Sequence, residues 1–318
     1  MAMPRLPAFP SGERTMIHGT VPRPVRGCAS GRGGLGTVVG MAGVDGGSSN
    51  PDVLNDVSSG ASGGASSGVS DSVLSVAARF NGPPGSGNGG YVAGLLSQRL
   101  SGRAPGVGCA TVTLRQPPPL ERSLRLAGES AGGLGLYDGD ALVAEVAAAE
   151  EALVEAFEPV EPVSFELAAE SSAAFFPGRG AEHPYPTCFV CGTERAEGDG
   201  LRLFPGLLPQ RPGTTACAWV PDVSLADGED TYVRPEFVWA ALDCPGGWTA
   251  LATREPVLLL GRMTARIDAL PYAGDRCVVM GRLLGQEGRK LRTATTLYDG
   301  DGRVAAHAEA VWIAPRTG

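Results

Sequence analysis

Hydrophobic positions along the chain change from strand-like to helix-like spacing and back again, and they do so twice. The apolar stretch Val73 to Phe80 runs into the glycine-rich Pro84-Gly85-Ser86-Gly87-Asn88-Gly89-Gly90. Beyond it Tyr91, Val92, Leu95, Leu96 and Leu100 fall on one face of a helix. Cys109 to Gln116, Ser123 to Gly128, Gly133 to Tyr137 and Leu142 to Ala149 then read as strands. Asp138-Gly139 joins the last two, a dipeptide suited to a tight antiparallel hairpin.

The second half runs through the same order. Leu201 to Phe204 and Thr215 to Val220 precede a helical pattern from about Arg234 that carries Phe237, Val238, Ala241 and Leu242. Strands are expected at Val257 to Leu270, Arg276 to Leu284, Leu291 to Tyr298 and Arg303 to Ile313. Leu136-Tyr137-Asp138-Gly139-Asp140 returns as Leu297-Tyr298-Asp299-Gly300-Asp301, so the same turn is expected in both halves. Two tandem copies of one strand, helix and antiparallel-strand module explain this economically.

The expected domains are a tail at 1–69, a first module at 70–157, a linker at 158–184 and a second module at 185–316. The tail is rich in Gly, Ser and Pro, too poor in apolar surface to offset its ordering entropy, and so is expected to be disordered. Met3, Met16 and Met41 could each begin the chain. Removing residues 1 to about 65 is expected to leave the melting temperature nearly unchanged, and a scanning calorimeter checks this directly. Val143 to Phe157, rich in Ala and Glu, could form a helix; its first half is taken as a strand and the rest as linker.

Composition narrows the partners. A formal charge of -8 and a pI of about 5.0 argue against nucleic acid, which needs clustered Lys and Arg. An anionic ligand would need a local basic patch, for which Arg262 and Arg266 are the candidates. Seven cysteines, odd in number and scattered, suit reduced thiols in the cytoplasm. No apolar run reaches the roughly 18 to 20 residues of a membrane span, so no membrane association is expected.

Gly85-Ser86-Gly87-Asn88-Gly89-Gly90 satisfies G-x-G-x-x-G, but no Asp or Glu follows before Glu121 to hold a ribose. It could also be a turn that binds nothing. A third reading is a helix start whose free N–H groups and dipole receive a carbonyl oxygen.

Asn88-Gly89-Gly90-Tyr91-Val92-Ala93-Gly94-Leu95-Leu96 and Leu114-Arg115-Gln116-Pro117-Pro118 resemble the N-terminal half of double-hotdog acyl-CoA thioesterases. Cys188-Phe189-Val190-Cys191-Gly192 and Gly200-Leu201-Arg202-Leu203 are similar to the opening of hotdog thioesterases of the phenylacetate-pathway type. The resemblance spans about Ser70 to Pro315. It implies an α+β tandem hotdog, each antiparallel sheet wrapped round a central helix, acting on acyl-CoA without a cofactor. In such proteins the helix begins at His, Asn or Gln before Gly-Gly and often carries an acid further on. The first half has Asn88 but Ser97 at the second position, whereas the second half has Arg234 but Asp243. One composite site is therefore expected, with Asp243 as general base and Asn88, Gly89 and Gly90 around the thioester carbonyl.

The resemblance also points to Thr264 and Glu309, at positions where the family uses Ser or Thr and Gln to place water. Glu309 departs from that pattern, and Thr264 alternates with Arg262 and Arg266 on what reads as a solvent face. Asp243 itself could be a structural carboxylate among Trp239, Ala240, Leu242, Cys244 and Pro245. Cys188-x-x-Cys191 with His183 upstream lacks a second Cys or His pair at finger-like spacing, so no metal is expected. His18 lies in the tail and His307 is expected on a solvated strand face, leaving no Ser-His-Asp arrangement. A non-catalytic acyl- or lipid-binding protein is the alternative function, and a homodimer is admitted.

Overall fold

A computed structural model describes residues 72–101, 108–129, 132–175, 183–227, 230–252 and 258–315. The tail, His18 and the first residues assigned to the first module lie outside the described residues.

The chain begins with β1 (Ser72–Leu74), then α1 (Gly89–Ser101), β2 (Gly108–Leu114), β3 (Leu124–Gly128), β4 (Leu134–Asp138) and β5 (Ala141–Ala148). Two helices follow, α2 (Glu151–Glu155) and α3 (Phe165–Ala173). The second half holds β6 (Gly206–Leu207), β7 (Thr214–Trp219), a ribbon of β8 (Ala226–Asp227) and β9 (Asp230–Val233), then α4 (Pro235–Ala241) and α5 (Cys244–Gly247). It closes with β10 (Leu259–Ile267), β11 (Cys277–Glu287), β12 (Lys290–Tyr298) and β13 (Val304–Ile313).

Eleven strands form one sheet in the order β1-β3-β4-β5-β2-β10-β13-β12-β11-β7-β6, antiparallel at every pairing. Each half reads outward from the centre in the same way: the first strand after the long helix, then the fourth, third and second strands after it, β2-β5-β4-β3 and β10-β13-β12-β11. The halves join where β2 pairs with β10, Val112 opposite Met263 and Ala110 opposite Ala265. All four of these residues are buried.

The helices α1 and α4 pack antiparallel, because Gly90 meets Trp239 and Asp243 while Gly94 meets Glu236. Glycine permits that approach. A Cβ on Gly94 would stand 2.5 Å from Glu236 Cα, and one on Gly90 would stand 2.6 Å from Asp243 Cβ. Gly90, the last glycine of the stretch read as a nucleotide-like or carbonyl-binding motif, and Gly94 one turn later thus serve helix packing. At the far end of the contact Gln98 Nε2 donates to Glu236 Oε2 at 2.8 Å.

Several expectations are corrected. The helix expected to run from Arg234 past Asp243 stops at Ala241 and restarts at Cys244. Pro245 has no N–H to give the preceding turn, so the helix is interrupted before it and resumes with the proline in its first turn, where no such bond is needed. The segment 158–184 carries α3, not only linker. Its Ser164 caps the helix by accepting from Leu167 N, and α3 lies on β7. There a second apolar cluster, with Ala168, Ala216 and Met280, covers the sheet face turned away from α4. The two repeated turns differ as well. Gly139 takes φ 60° in a two-residue link from Asp138 to Ala141. The second turn is longer, with the left-handed residue at Gly302 (φ 76°) instead of Gly300.

Candidate functional site

Asn88 stands directly before α1. Its Oδ1 accepts from Tyr91 N at 2.8 Å, a side-chain cap for an otherwise unpaired helix donor. That bond fixes the amide, whose Nδ2 donates to Asp243 Oδ2 at 2.8 Å. Gly90 N donates to the same oxygen at 3.0 Å. Asp243 occupies the break between α4 and α5, which aims its side chain at the start of α1 rather than along the axis of its own helix.

Asp243 is 3% exposed, and its Oδ1 is buried without a hydrogen-bond partner among the described residues. Burial pushes the carboxyl up to about 7. The Gly90 N–H pulls the other way, the nearby Cys188 adds to the rise, and the Asn88 amide lowers it.

Asn88, Gly89 and Asp243 line a cavity of about 530 Å³ whose further wall includes Leu114, Leu260, Trp248 and Trp312. A register shift between Leu260 and Arg262 offsets the alternation of β10 at Gly261. Leu260, opposite Trp312 on β13, therefore belongs to the cavity lining while Met263 and Ala265 remain in the core.

Thr264 and Glu309 are not brought to this cavity. They sit opposite each other in the β10–β13 pairing, and Thr264 shares a hydrogen bond of 2.9 Å with Thr111. The buried Met263 and Ala265 on either side of Thr264 define the core face of β10, so Thr264 and Glu309 take the other face. The strand positions that do line the cavity are apolar, Leu114, Leu259, Leu260, Trp312 and Ile313, with Gly261. His307 is not solvated as expected: its ring lies 5.8 Å from Phe157, and burial lowers its pKa.

At the opposite end of the helix pair, Arg234 Nε pairs with Glu236 Oε1 at 3.2 Å, and the guanidinium lies 4.6 Å from the centre of the Phe237 ring. Gln98 and Arg234 fill this place with a polar network around the buried Glu236.

Sequence reasoning missed the cavity wall formed by residues 183–204. Phe189 N donates to Asn81 O at 2.7 Å, and the Phe189 ring packs edge-on to Phe80 at 5.0 Å. Arg195 holds this loop through Asp199, Thr187 O and Arg79 O. The loop brings Cys188 and Cys191 against Cys244 at the start of α5, and all three line the cavity. The Cys188 thiol lies below its usual range through hydrogen bonding with Cys191 and Cys244.

No family model and no curated protein matches the sequence. Solved structures do match in shape. A provisionally named thioesterase from Novosphingobium aromaticivorans superposes with a TM-score of 0.55 at 14% identity, covering 77% of this chain and 96% of that one. The tesB protein of Mycobacterium avium subsp. paratuberculosis gives 0.54 at 12% identity, over 77% and 93%. A conserved protein of unknown function with a hot dog fold, from Alicyclobacillus acidocaldarius, gives 0.50 at 13% identity, over 78% and 94%. The fold is a hotdog fold. Within it, the large antiparallel sheet carries few helices, and the Asn88–Asp243 contact lies where the two helix-bearing halves meet. No helix among the described residues is long and apolar enough to cross a membrane.

Proposed function

We propose that this chain is a fused pair of hotdog modules that hydrolyses acyl-CoA or a related acyl thioester, with Asp243 as general base. The observation that carries this is one buried carboxylate at an apolar cavity, its two oxygens in different states. Oδ2 is tied by Asn88 and Gly90, which fixes the carboxylate, while Oδ1 is left without a partner. Oδ1 would take a proton from water as the water oxygen bonds to the thioester carbon; the carbon–sulfur bond then breaks and the CoA thiolate leaves, taking up the proton held by Asp243.

The expected roles of Asn88 and Gly90 change. The Gly90 N–H and one of the two Asn88 Nδ2 hydrogens are given to Asp243, so both residues position the base. Gly89, at the first position of α1 and in the cavity lining, offers the remaining helix-start N–H for the carbonyl oxygen. A Cβ there would come within 3.0 Å of both Leu114 and Leu260, narrowing the same place.

A second groove of about 470 Å³ shares Arg115 and Gly261 with this cavity and adds Arg262, Lys290 and Arg292. Phosphates of CoA would meet positive charge there. Replacing Arg262 and Arg292 together by Glu is expected to raise KM for acyl-CoA about tenfold with little change in kcat, because the phosphates are held equally in ground and transition states. Steady-state kinetics check it, and an unchanged KM would remove the groove from the site.

The test of the function is thiol release from a panel of acyl-CoAs, short, long and aromatic. One observation favours a second reading, a non-catalytic acyl-binding protein: both donors to Asp243, Asn88 just before α1 and Gly90 within it, sit at the start of that helix, so the acid also ties the helices together. Binding of acyl-CoA without thiol release from any member of the panel would establish that reading.

A further inference from the structure

Counting ligands along the sequence leaves the Cys188-x-x-Cys191 pair two short of a closed zinc site, and folding changes the count. Cys244, more than fifty residues away, meets the pair: the three Sγ atoms lie within 4.8 Å of one another, and Cys188 Sγ is 3.9 Å from Cys244 Sγ. In a tetrahedral site with zinc–sulfur bonds of about 2.3 Å, neighbouring sulfurs stand about 3.8 Å apart. The thiols therefore need to move little to hold one ion.

The turn carrying the pair is shaped for it. Gly192 N donates to Cys188 O at 2.8 Å, and a Cβ on Gly192 would stand 2.5 Å from that oxygen, so only glycine closes the turn this tightly. All three cysteines are buried, which protects a thiolate site from competing water. His183 is not in the cluster; its Nδ1 accepts from Tyr185 N, and its ring packs 5.0 Å from Trp248.

We propose that Cys188, Cys191 and Cys244 bind a zinc ion in the cavity wall, with the fourth coordination position open to the cavity. Zinc replaces the thiol protons, which pass to solvent, and three soft sulfur ligands favour it over magnesium or calcium. The ion would clamp the 183–204 loop to the start of α5, next to the residue on which the proposed hydrolysis depends. The assignment stands apart from that hydrolysis, since its readout is metal content.

The test uses the full chain purified under reducing conditions. Elemental analysis is expected to give about one zinc per chain, and protein stripped by a chelator is expected to take up cobalt(II) with thiolate-to-cobalt charge-transfer bands and the visible bands of a tetrahedral ion. Cys244→Ser is expected to weaken metal affinity at least about tenfold, while Cys217→Ser, a buried thiol on β7, retains it. The cobalt spectrum of the unsubstituted protein decides the matter even if Cys244→Ser folds poorly. Reduced protein that takes up neither metal at stoichiometry, or that shows no thiolate-to-cobalt bands, overturns the proposal. So does full metal affinity in a folded Cys244→Ser variant.

Discussion

Asp243→Asn is expected to lower kcat for acyl-CoA hydrolysis by about 10²- to 10⁴-fold, the span commonly lost with a positioned general base. The change is nearly isosteric at a site only 3% exposed, so it opens no cavity. The Asn amide oxygen can still accept from Asn88 Nδ2 and Gly90 N, which keeps the contact between the helix start and the α4–α5 break. What disappears is the second oxygen: an amide nitrogen in the place of Oδ1 cannot take a proton from water. Melting temperature and kcat measured on the same sample separate the roles. A folded variant with full turnover would show that another group activates the water and would leave Asp243 a structural tie.

Gly94→Ala is expected to destabilise the protein by about 2 kcal/mol, although helix propensity alone predicts a gain of about 1 kcal/mol. The two arguments differ in sign, which makes the measurement decisive. The added methyl would meet Glu236 Cα at 2.5 Å and Trp239 Cβ at 2.9 Å. The first of these belongs to the backbone of α4, so relief requires the helices to separate, not a side chain to rotate. Separation also stretches the 2.8 Å bond between Asn88 and Asp243, so turnover should fall with stability. For a protein of this size the loss corresponds to a drop of roughly 5 °C in Tm, readable by calorimetry or by the urea midpoint at constant slope. A raised Tm would mean that the helices do not approach so closely.

The strands were the clearest feature of the sequence, since a half-buried strand writes its two faces as alternation. Expected and observed limits of β3, β4 and β12 agree to a residue or two. The helix α1 was equally plain, because Tyr91, Val92, Leu95 and Leu96 mark one face. The segment 158–184 was not, because α3 packs on the outer face of a sheet that no local pattern announces. His307 was misplaced for a related reason: its neighbours on β13 suit a solvated face until Phe157, from a distant segment, covers it.

Asn88 and Asp243 could be proposed as partners from the sequence because each half held one residue of the expected pair. Which groups donate to which was decided in three dimensions. Pro245 breaks the helix after Ala241 and swings Asp243 toward α1, so the N–H groups expected to face a substrate face the acid. Thr264 and Glu309 were lost to the same kind of detail, since an offset at Gly261 carries Leu260 to the cavity and leaves them on the other face. The cysteine cluster shows the limit most plainly. Sequence spacing reveals ligands only when one turn supplies them, as with Cys188 and Cys191; Cys244 joins them because a loop tied to Phe80 and Asn81 lies against the start of α5. The sequence by itself determined the alternation and the repeated order of elements, which depend on neighbours in the chain. Tertiary structure alone decided which distant side chains share a cavity, because that depends on where helix breaks, offsets and crossing loops aim a few atoms.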